Sequence, residues 1–222
     1  MIKGAARELI LNTAEQLFAE QGVNAVSLRA INAAAGVSPG VLHYHFGNRD
    51  ALLEALIERR MQPLMQQRKA MLTVLMKQSS PPIDDVIAAL VQPLADFVLN
   101  GGEHGQRYIQ LIARLYMERC AVFEKVNARY VDSTTAMLPR LIYRACPHLS
   151  KASISWRLAA ANNACLQTLA ELSKPLRPWQ QSLSGDEAND PRHVIFTLKQ
   201  FIAGGFLAAD SQAANDSRRE IA

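Results

Sequence analysis

The sequence predicts an all-α protein with a small N-terminal three-helix unit followed by a larger helical body. Apolar residues recur at helical spacing along most of the chain, strand-like alternation bounded by turns is missing, and no repeat period appears. A hydrophobic content of 49% with 20% charged residues excludes a disordered chain, and 222 residues suffice for one large domain or two smaller ones.

The N-terminal unit begins with an amphipathic helix. Ala6, Ile10, Ala14 and Phe18 form one apolar stripe, which Gly22 brings to an end. This spacing predicts a first helix that buries one face against the next two helices.

Two short helices are predicted to follow. Ser27 is a typical N-cap for a helix to Ala35, the Gly36-Val37 pair makes a tight turn, and Pro39 suits the first position of the second short helix. Such a pair places a helix in the major groove of DNA. We therefore predict a helix-turn-helix DNA-binding domain over residues 1–48.

The rest of the chain, residues 49–222, is predicted to be a helical ligand-binding and dimerisation domain. Asn48 should cap a long helix that runs into the 60s, where Pro63 should bend or end it. Further helices are expected over residues 83–100, 105–145 (one or two helices), 151–173 and 191–209. Residues 174–190 are expected to form a loop, and the tail after Asp210 is expected to fray.

Composition excludes several other classes of protein. No apolar run is long enough to span a bilayer, and charge appears too early at the N-terminus for a secretory signal. We therefore expect a cytoplasmic protein with no membrane partner. Cys120, Cys146 and Cys165 lack metal-site spacing, which favours reduced thiols over disulfides or zinc.

Phosphate-binding groups cluster at the predicted helix starts. Arg49 falls in a first helical turn, where the helix dipole disfavours a cation by about 0.3–1 kcal/mol unless an anion binds there. Ser27 and Ser38 lie at two other helix starts, and Tyr44 and His45 end the second short helix. We predict that these five residues contact DNA phosphates, which fixes register without reading sequence.

Base contacts must come from the exposed face of the second short helix. Gly40 permits close backbone approach, Pro39 and Val41 can touch a thymine methyl, and His43 can donate to a guanine edge. Leu42 and Phe46 are instead expected in the small core. Residues 1–50 carry zero net charge, so the placement of these groups, and not a basic composition, favours DNA.

A metal site at His43 and His45 is the alternative use of these side chains. Residues two apart on a helix point to different faces, and no third ligand accompanies them. We expect neither a metal nor a cofactor.

Residues 7–53 resemble the N-terminal domain of TetR-family transcriptional regulators. The resemblance lies in an A-x-x-L-F-x-x-x-G opening, an A-G-V-S turn and a Y-H-F-x-x-[KR]-x-x-L close. It implies a homodimeric repressor on a palindromic operator, with a ligand in the body that changes the spacing of the two DNA-binding domains. The phosphate and base roles above are carried over to the same positions. His43 stands where the family often has tyrosine and Pro39 at a variable position, so both imply an individual operator.

Two series of residues, each recurring at spacings of four and three along a helix, suggest how the subunits pair, and we call them the dimer seam. They favour a four-helix bundle between two subunits, with Gly204-Gly205 allowing close approach. Asn162 either pairs across the dimer axis and fixes register or bonds within its own subunit. The predicted interface residues are Leu158, Asn162, Cys165, Leu169, Val194, Leu198, Phe201 and Gly205.

A ligand pocket is expected among the helices between residues 83 and 173. Its wall should be mostly apolar, which favours a hydrophobic or amphipathic effector, and Arg107 or Arg114 would meet an acidic group. Each aromatic residue has a simpler interpretation as core. The candidates are Arg107, Tyr108, Ile112, Arg114, Tyr116, Phe123 and Trp156.

Two other function classes differ from a ligand-released repressor. An enzyme or storage protein lacks support, since the chain has no P-loop, GxGxxG, GxSxG or HExxH motif. A DNA-binding regulator controlled by a protein partner, or an activator without a small-molecule inducer, stays open.

Overall fold

The computed structural model describes residues 3–183 and 189–210, and every regular element in those ranges is helical. This confirms the all-α fold class. The helices are α1 (Lys3–Gln21), α2 (Leu28–Ala35), α3 (Pro39–Phe46), α4 (Arg49–Leu75), α5 (Ile83–Asn100), α6 (Gly102–Met117), α7 (Ala121–Thr135), α8 (Met137–Ala145), α9 (Lys151–Glu171), α10 (Pro178–Leu183) and α11 (Pro191–Leu207). The expected frayed tail lies outside the described residues.

The turn between α2 and α3 depends on one glycine. Gly36 adopts φ 62° and ψ 29°, a left-handed conformation that costs other residues about 1–2 kcal/mol. At the other end of α2, the side chain of Ser27 accepts a hydrogen bond from the backbone N–H of Ala30 at 3.2 Å. Ile31 and Leu42 are fully buried between these helices. The predicted cap at Ser27, the turn and the helix starts of this region are confirmed, whereas Ser38, which was also expected to cap its helix, makes no side-chain capping bond.

Helix α4 runs through Pro63 to Leu75. The prediction that this proline should bend or end the helix is therefore wrong in so far as it expected the helix to end. The side chain of Asn48 caps its start, accepting from the N–H of Ala51 at 2.9 Å. Met61 and Leu64 are buried on either side of the proline. Burial of these side chains offsets the loss of the backbone hydrogen bond that proline cannot donate.

The body departs from the sequence expectation in two segments. Three helices, α6 to α8, replace the one or two expected over residues 105–145, and the first of them already begins at Gly102. The expected loop over residues 174–190 contains α10, which starts at Pro178, since proline is favoured in a first helical turn. Residues 184–188 of that loop lie outside the described residues.

Helix α9 lies at the centre of the body and contacts α5, α6, α8 and α11. Helix α4 contacts α1, α3, α5, α7 and α8. Its Glu54 and Glu58 pair with α7, and its Arg59 pairs with α1. It begins at Arg49, where the predicted domain boundary falls, and it packs against both parts of the chain. The division into domains at residues 48 and 49 stays a prediction.

A buried carboxylate joins the N-terminal helices to the body. Glu15 of α1 is 1% exposed, and its Oε2 accepts from Arg59 Nη2 at 2.7 Å and from Arg60 Nε at 3.4 Å. His104 of α6 lies 3.9 Å from the other carboxylate oxygen. Arg59 also pairs with the exposed Glu8 at 2.9 Å. These contacts fix α1 against α4 and α6 in a low-dielectric region, where ion pairs are strong.

We expect Glu15→Gln to lower the free energy of unfolding by about 2 kcal/mol, because two arginines lose their buried counter-charge. The same change at Glu8, whose side chain is half exposed, should cost less than about 1 kcal/mol. Urea denaturation of both variants measures the difference. Equal effects would contradict a special role for the buried carboxylate.

Candidate DNA-binding surface and internal cavity

Helix α3 buries one face and exposes the other. Leu42 is fully buried and Phe46 nearly so, and both belong to the hydrophobic core. On the opposite side Tyr44 is 71% exposed, and His43 is exposed beside it. The alternation follows from helical spacing and leaves a polar and aromatic surface free to contact another molecule.

The residues predicted to read bases are not equally accessible. Pro39, Gly40 and His43 are exposed, whereas Val41 is half-buried and packs against the core. Val41 therefore offers only part of its side chain to a partner.

The residues predicted to contact phosphates differ in their present partners. The Ser27 hydroxyl already caps α2, while Ser38, at the start of α3, makes no side-chain capping bond. Tyr44 and His45 pack edge to face at 5.2 Å, which orients both rings at the end of α3. Ser38 and Tyr44 are exposed, and His45 is half-buried.

Arg49 has side-chain nitrogens that lack a hydrogen-bond acceptor. The residue is half-buried at the start of α4, and its Nε and Nη2 are buried with no hydrogen-bond partner. Free backbone N–H groups at a helix start add positive potential at the same place. The arrangement favours binding of an anion there.

The body contains a partly open cavity of about 450 Å³. It is walled by α4 to α9, and its lining is mainly aliphatic and aromatic. Four of the predicted pocket residues, Tyr108, Ile112, Tyr116 and Phe123, lie in this wall. The Tyr108 hydroxyl donates to the carbonyl of Ile57 at 3.4 Å, and burial raises the pKa of Tyr108, so the phenol stays protonated.

Three other predicted pocket residues lie outside the cavity, and this is a correction. Arg107 pairs with Glu103 at 2.8 Å on the outer face of α6. The guanidinium of Arg114 lies beside Gly22 in the N-terminal unit. Trp156 is 79% exposed because it is two residues from both Ile154 and Leu158, which line the cavity from the opposite face of α9.

The buried cationic residue of the cavity wall is Arg68, which the sequence analysis did not identify. It is 8% exposed and lies in the cavity wall. The signal was present, since Met61, Leu64, Arg68, Leu72 and Leu75 follow one helical stripe of buried residues. Arg68 lies outside the helices between residues 83 and 173, where the pocket was expected.

Part of the predicted dimer seam faces the subunit's own interior, which is a second correction. Leu158 and Asn162 line the cavity, and Cys165, Leu169 and Leu198 are buried in the core of a single subunit. Burial raises the pKa of Cys165 to about 11, consistent with an inert thiol. A spacing of four and three identifies an apolar stripe but not the partner it packs against.

The remaining seam residues, Val194, Phe201 and Gly205, are at least partly accessible. Phe201 is 73% exposed, and the half-buried Val194 and Phe201 both line a recess of about 610 Å³ between α9, α10 and α11. A β-carbon built at Gly205 would meet nothing within 4 Å in this subunit. We refer to Trp156, Phe201, Gly204 and Gly205 as the outward face of α9 and α11.

Two other kinds of site receive no support from the described part of the chain. Among residues 3–183 and 189–210, no three His, Cys, Asp or Glu side chains are grouped to hold a metal ion. None of the helices described is long and apolar enough to cross a membrane.

Comparison with protein families gives two matches that together cover most of the chain. Residues 10–56 match the model of bacterial regulatory proteins of the tetR family. Residues 88–205 match a C-terminal domain similar to that of the tetracycline repressor. The first match contains α2, α3 and the start of α4, and the second contains most of the cavity wall.

Curated relatives match over about a quarter of this chain. The transcriptional regulator UidR of Escherichia coli K12 is 41% identical over 51 residues, which is 23% of this chain and 26% of UidR. The repressor BepR of Brucella suis is 42% identical over 53 residues, which is 24% of this chain and 25% of BepR. The chain thus spans about a quarter of the length of the curated relatives it matches.

Solved structures match over nearly the full length. SmeT, described as the repressor of the Stenotrophomonas maltophilia multidrug efflux pump SmeDEF, has a TM-score of 0.54 at 21% identity, over 89% of this chain and 88% of SmeT. A SmeT–triclosan complex has a TM-score of 0.58 at 19% identity, over 93% and 96%. FadR of Bacillus halodurans, a fatty acid degradation regulator, has a TM-score of 0.60 at 16% identity, over 92% and 97%. At these identities the likeness shows the fold.

Proposed function

This chain belongs to the TetR family of bacterial regulatory proteins, and from that premise we propose that it is a sequence-specific transcriptional repressor. A small hydrophobic or amphipathic effector releases it from a palindromic operator. The observation that carries the proposal is α3, which exposes His43 and Tyr44 while Leu42 and Phe46 fix the helix to the core.

The exposed face of α3 reads the operator, and the surrounding helix starts bind its backbone. Arg49, with buried and unpartnered nitrogens, supports the phosphate role, because a DNA phosphate supplies the missing acceptor. The proposed phosphate contacts are Ser27, Ser38, Tyr44, His45 and Arg49, and the proposed base contacts are Pro39, Gly40, Val41 and His43.

Two copies bind the two half-sites of the operator. The outward face of α9 and α11 supports this assembly, because Trp156 and Phe201 expose large apolar surfaces and Gly204 and Gly205 leave room for close backbone approach. Of the interface residues predicted from sequence, Val194, Phe201 and Gly205 remain part of the proposal.

The effector occupies the cavity walled by α4 to α9. A mostly apolar wall of this volume suits a drug-sized ligand. SmeT, which shares the fold, is known in complex with triclosan. The effector releases DNA only to the extent that it binds the DNA-incompetent conformation more tightly. Control by a protein partner is the competing proposal, and it predicts no stabilisation by small molecules.

Selection of bound duplexes from a random DNA pool, at a stated salt concentration, tests the function directly. A dimeric repressor should enrich a palindrome whose half-sites are about one helical turn or more apart. Salt-sensitive binding without enrichment would contradict sequence-specific recognition by the protein alone.

We expect Arg49→Ala to weaken binding to all sequences alike and to reduce the salt slope of the binding constant by about 1, because one phosphate contact is lost. His43→Ala should instead change preference at one position of each half-site by about 1–3 kcal/mol. Fluorescence anisotropy on matched and single-mismatch operators separates the two effects. A His43 variant that weakens every sequence equally would contradict its role in base contact.

We expect Phe201→Asp to raise the dimer dissociation constant at least about tenfold, because it places a charge in a buried apolar contact. Tyr143→Asp, at another exposed aromatic side chain on α8, is the matched control and should leave association unchanged. Sedimentation velocity measures both. Unchanged association of the Phe201 variant would place the interface elsewhere.

A further inference from the structure

Arg68 is a buried cation that forms no ion pair with the side chains described in this structure. Its Nη2 donates to the carbonyl of Leu90 at 2.7 Å, and its Nη1 lies 3.8 Å from the sulfur of Met65. Its Nε is buried and has no partner. Among the side chains that the structure describes, no carboxylate pairs with it. A guanidinium carries five N–H donors, so most of its hydrogen-bonding capacity is unused.

The surroundings of Arg68 do not neutralise it. Cys165 is the neighbouring titratable group, and because burial raises the pKa of that thiol to about 11, it carries no charge at neutral pH. Burial lowers the pKa of Arg68 itself, although a guanidinium stays protonated in proteins. A buried, unpaired charge is unfavourable, and an anion beside it removes that cost.

The cavity wall is suited to an anion with an apolar body. Within the part of the chain that the structure describes, the wall contains no aspartate or glutamate, and its second cation, Lys151, is exposed at the start of α9. Asn127 and Asn162 add neutral amide groups. Most of the remaining wall is aliphatic or aromatic, as at Leu94 and Phe123.

We propose that the effector is an amphipathic carboxylic acid, bound as its carboxylate, with Arg68 as the residue that pairs with the carboxylate. The inference rests on the proposed control by a ligand and specifies the chemical class of that ligand. A planar guanidinium binds a carboxylate through two parallel hydrogen bonds, which supplies orientation as well as affinity. The apolar body of the acid then occupies the aliphatic and aromatic part of the cavity.

Calorimetric titration with matched probe pairs tests this class. The probes are the alkyl carboxylates from octanoate to tetradecanoate and 1-naphthoate, each compared with its alcohol, and decylamine serves as a cationic probe. We expect at least one carboxylate to bind the full-length protein about tenfold or more tightly than its alcohol, and decylamine not to bind. If no carboxylate in the panel is preferred over its alcohol, the proposal is overturned without recourse to any variant.

Variants assign the preference to Arg68. Arg68→Met should abolish the difference between carboxylate and alcohol while keeping affinity for the alcohol, and Arg68→Lys should keep part of the difference. Arg107→Met removes a charge on the outer face of α6 and should behave as the wild type. If Arg68→Met does not fold, the probe pairs on the wild type still test the ligand class, and Arg68→Lys still tests the role of Arg68. A carboxylate preference that survives both changes at Arg68 overturns the assignment.

Operator binding separates this inference from the function on which it rests. An enriched palindrome together with no carboxylate preference overturns the effector class and leaves the repressor intact. A carboxylate preference that depends on Arg68, together with no selected DNA sequence, supports the effector class and overturns the sequence-specific repressor. When both hold, adding the preferred carboxylate to the protein–operator complex should release DNA from the wild type and not from Arg68→Met.

Discussion

The structure depends on the continuity of α4. Its 27 residues span about 40 Å, and they bury one side against the N-terminal helices and the other against the body. The proline within the helix would favour a break, but Met61 and Leu64 are buried on either side of it. Because the turns before Pro63 also pair with α7 through Glu54 and Glu58, this helix ties the helix-turn-helix unit to the body on both sides of the proline.

Two arginines on α4 connect the chemistry of the two parts. Arg49 lies at the start of the helix and Arg68 lies 19 residues farther on, about 28 Å away along its axis. Both have buried nitrogen atoms without acceptors. In the proposed mechanism DNA satisfies the first and the effector satisfies the second. Linkage requires each ligand to alter the affinity for the other if they favour different conformations of this helix.

The N-terminal unit was predictable from sequence because its signals are local. Ser27, Gly36 and Asn48 act within one turn of their own positions, so capping and turn chemistry were sufficient. The identity of the family followed from motifs in the same short segment.

The body was less predictable because its contacts are distant in sequence. The stripe through Leu158 and Cys165 was correctly predicted to be a packing face. Periodicity cannot distinguish a core from a dimer interface, and in the structure α9 packs against four helices of its own subunit. Arg107 was expected to meet an acidic group of the ligand, yet it points away from the cavity, since adjacent helical residues such as Arg107 and Tyr108 point about 100° apart. Arg68 required knowledge that α4 continues beyond Pro63, which only tertiary packing decides.

Pro63 has a mechanical consequence for α4. It supplies no amide hydrogen, so the carbonyl of Arg59 lacks its normal partner four residues on. The bending stiffness of the helix is therefore lowest at this turn, which lies between Arg49 and Arg68. The side chain of Arg59, in the same turn, pairs with Glu15, so the most flexible turn of α4 is also the turn that forms an ion pair with α1. A change of curvature at this turn would move α1 together with the first half of α4, and it would have to be accommodated by the contacts of α1 with α6 and of α4 with α7.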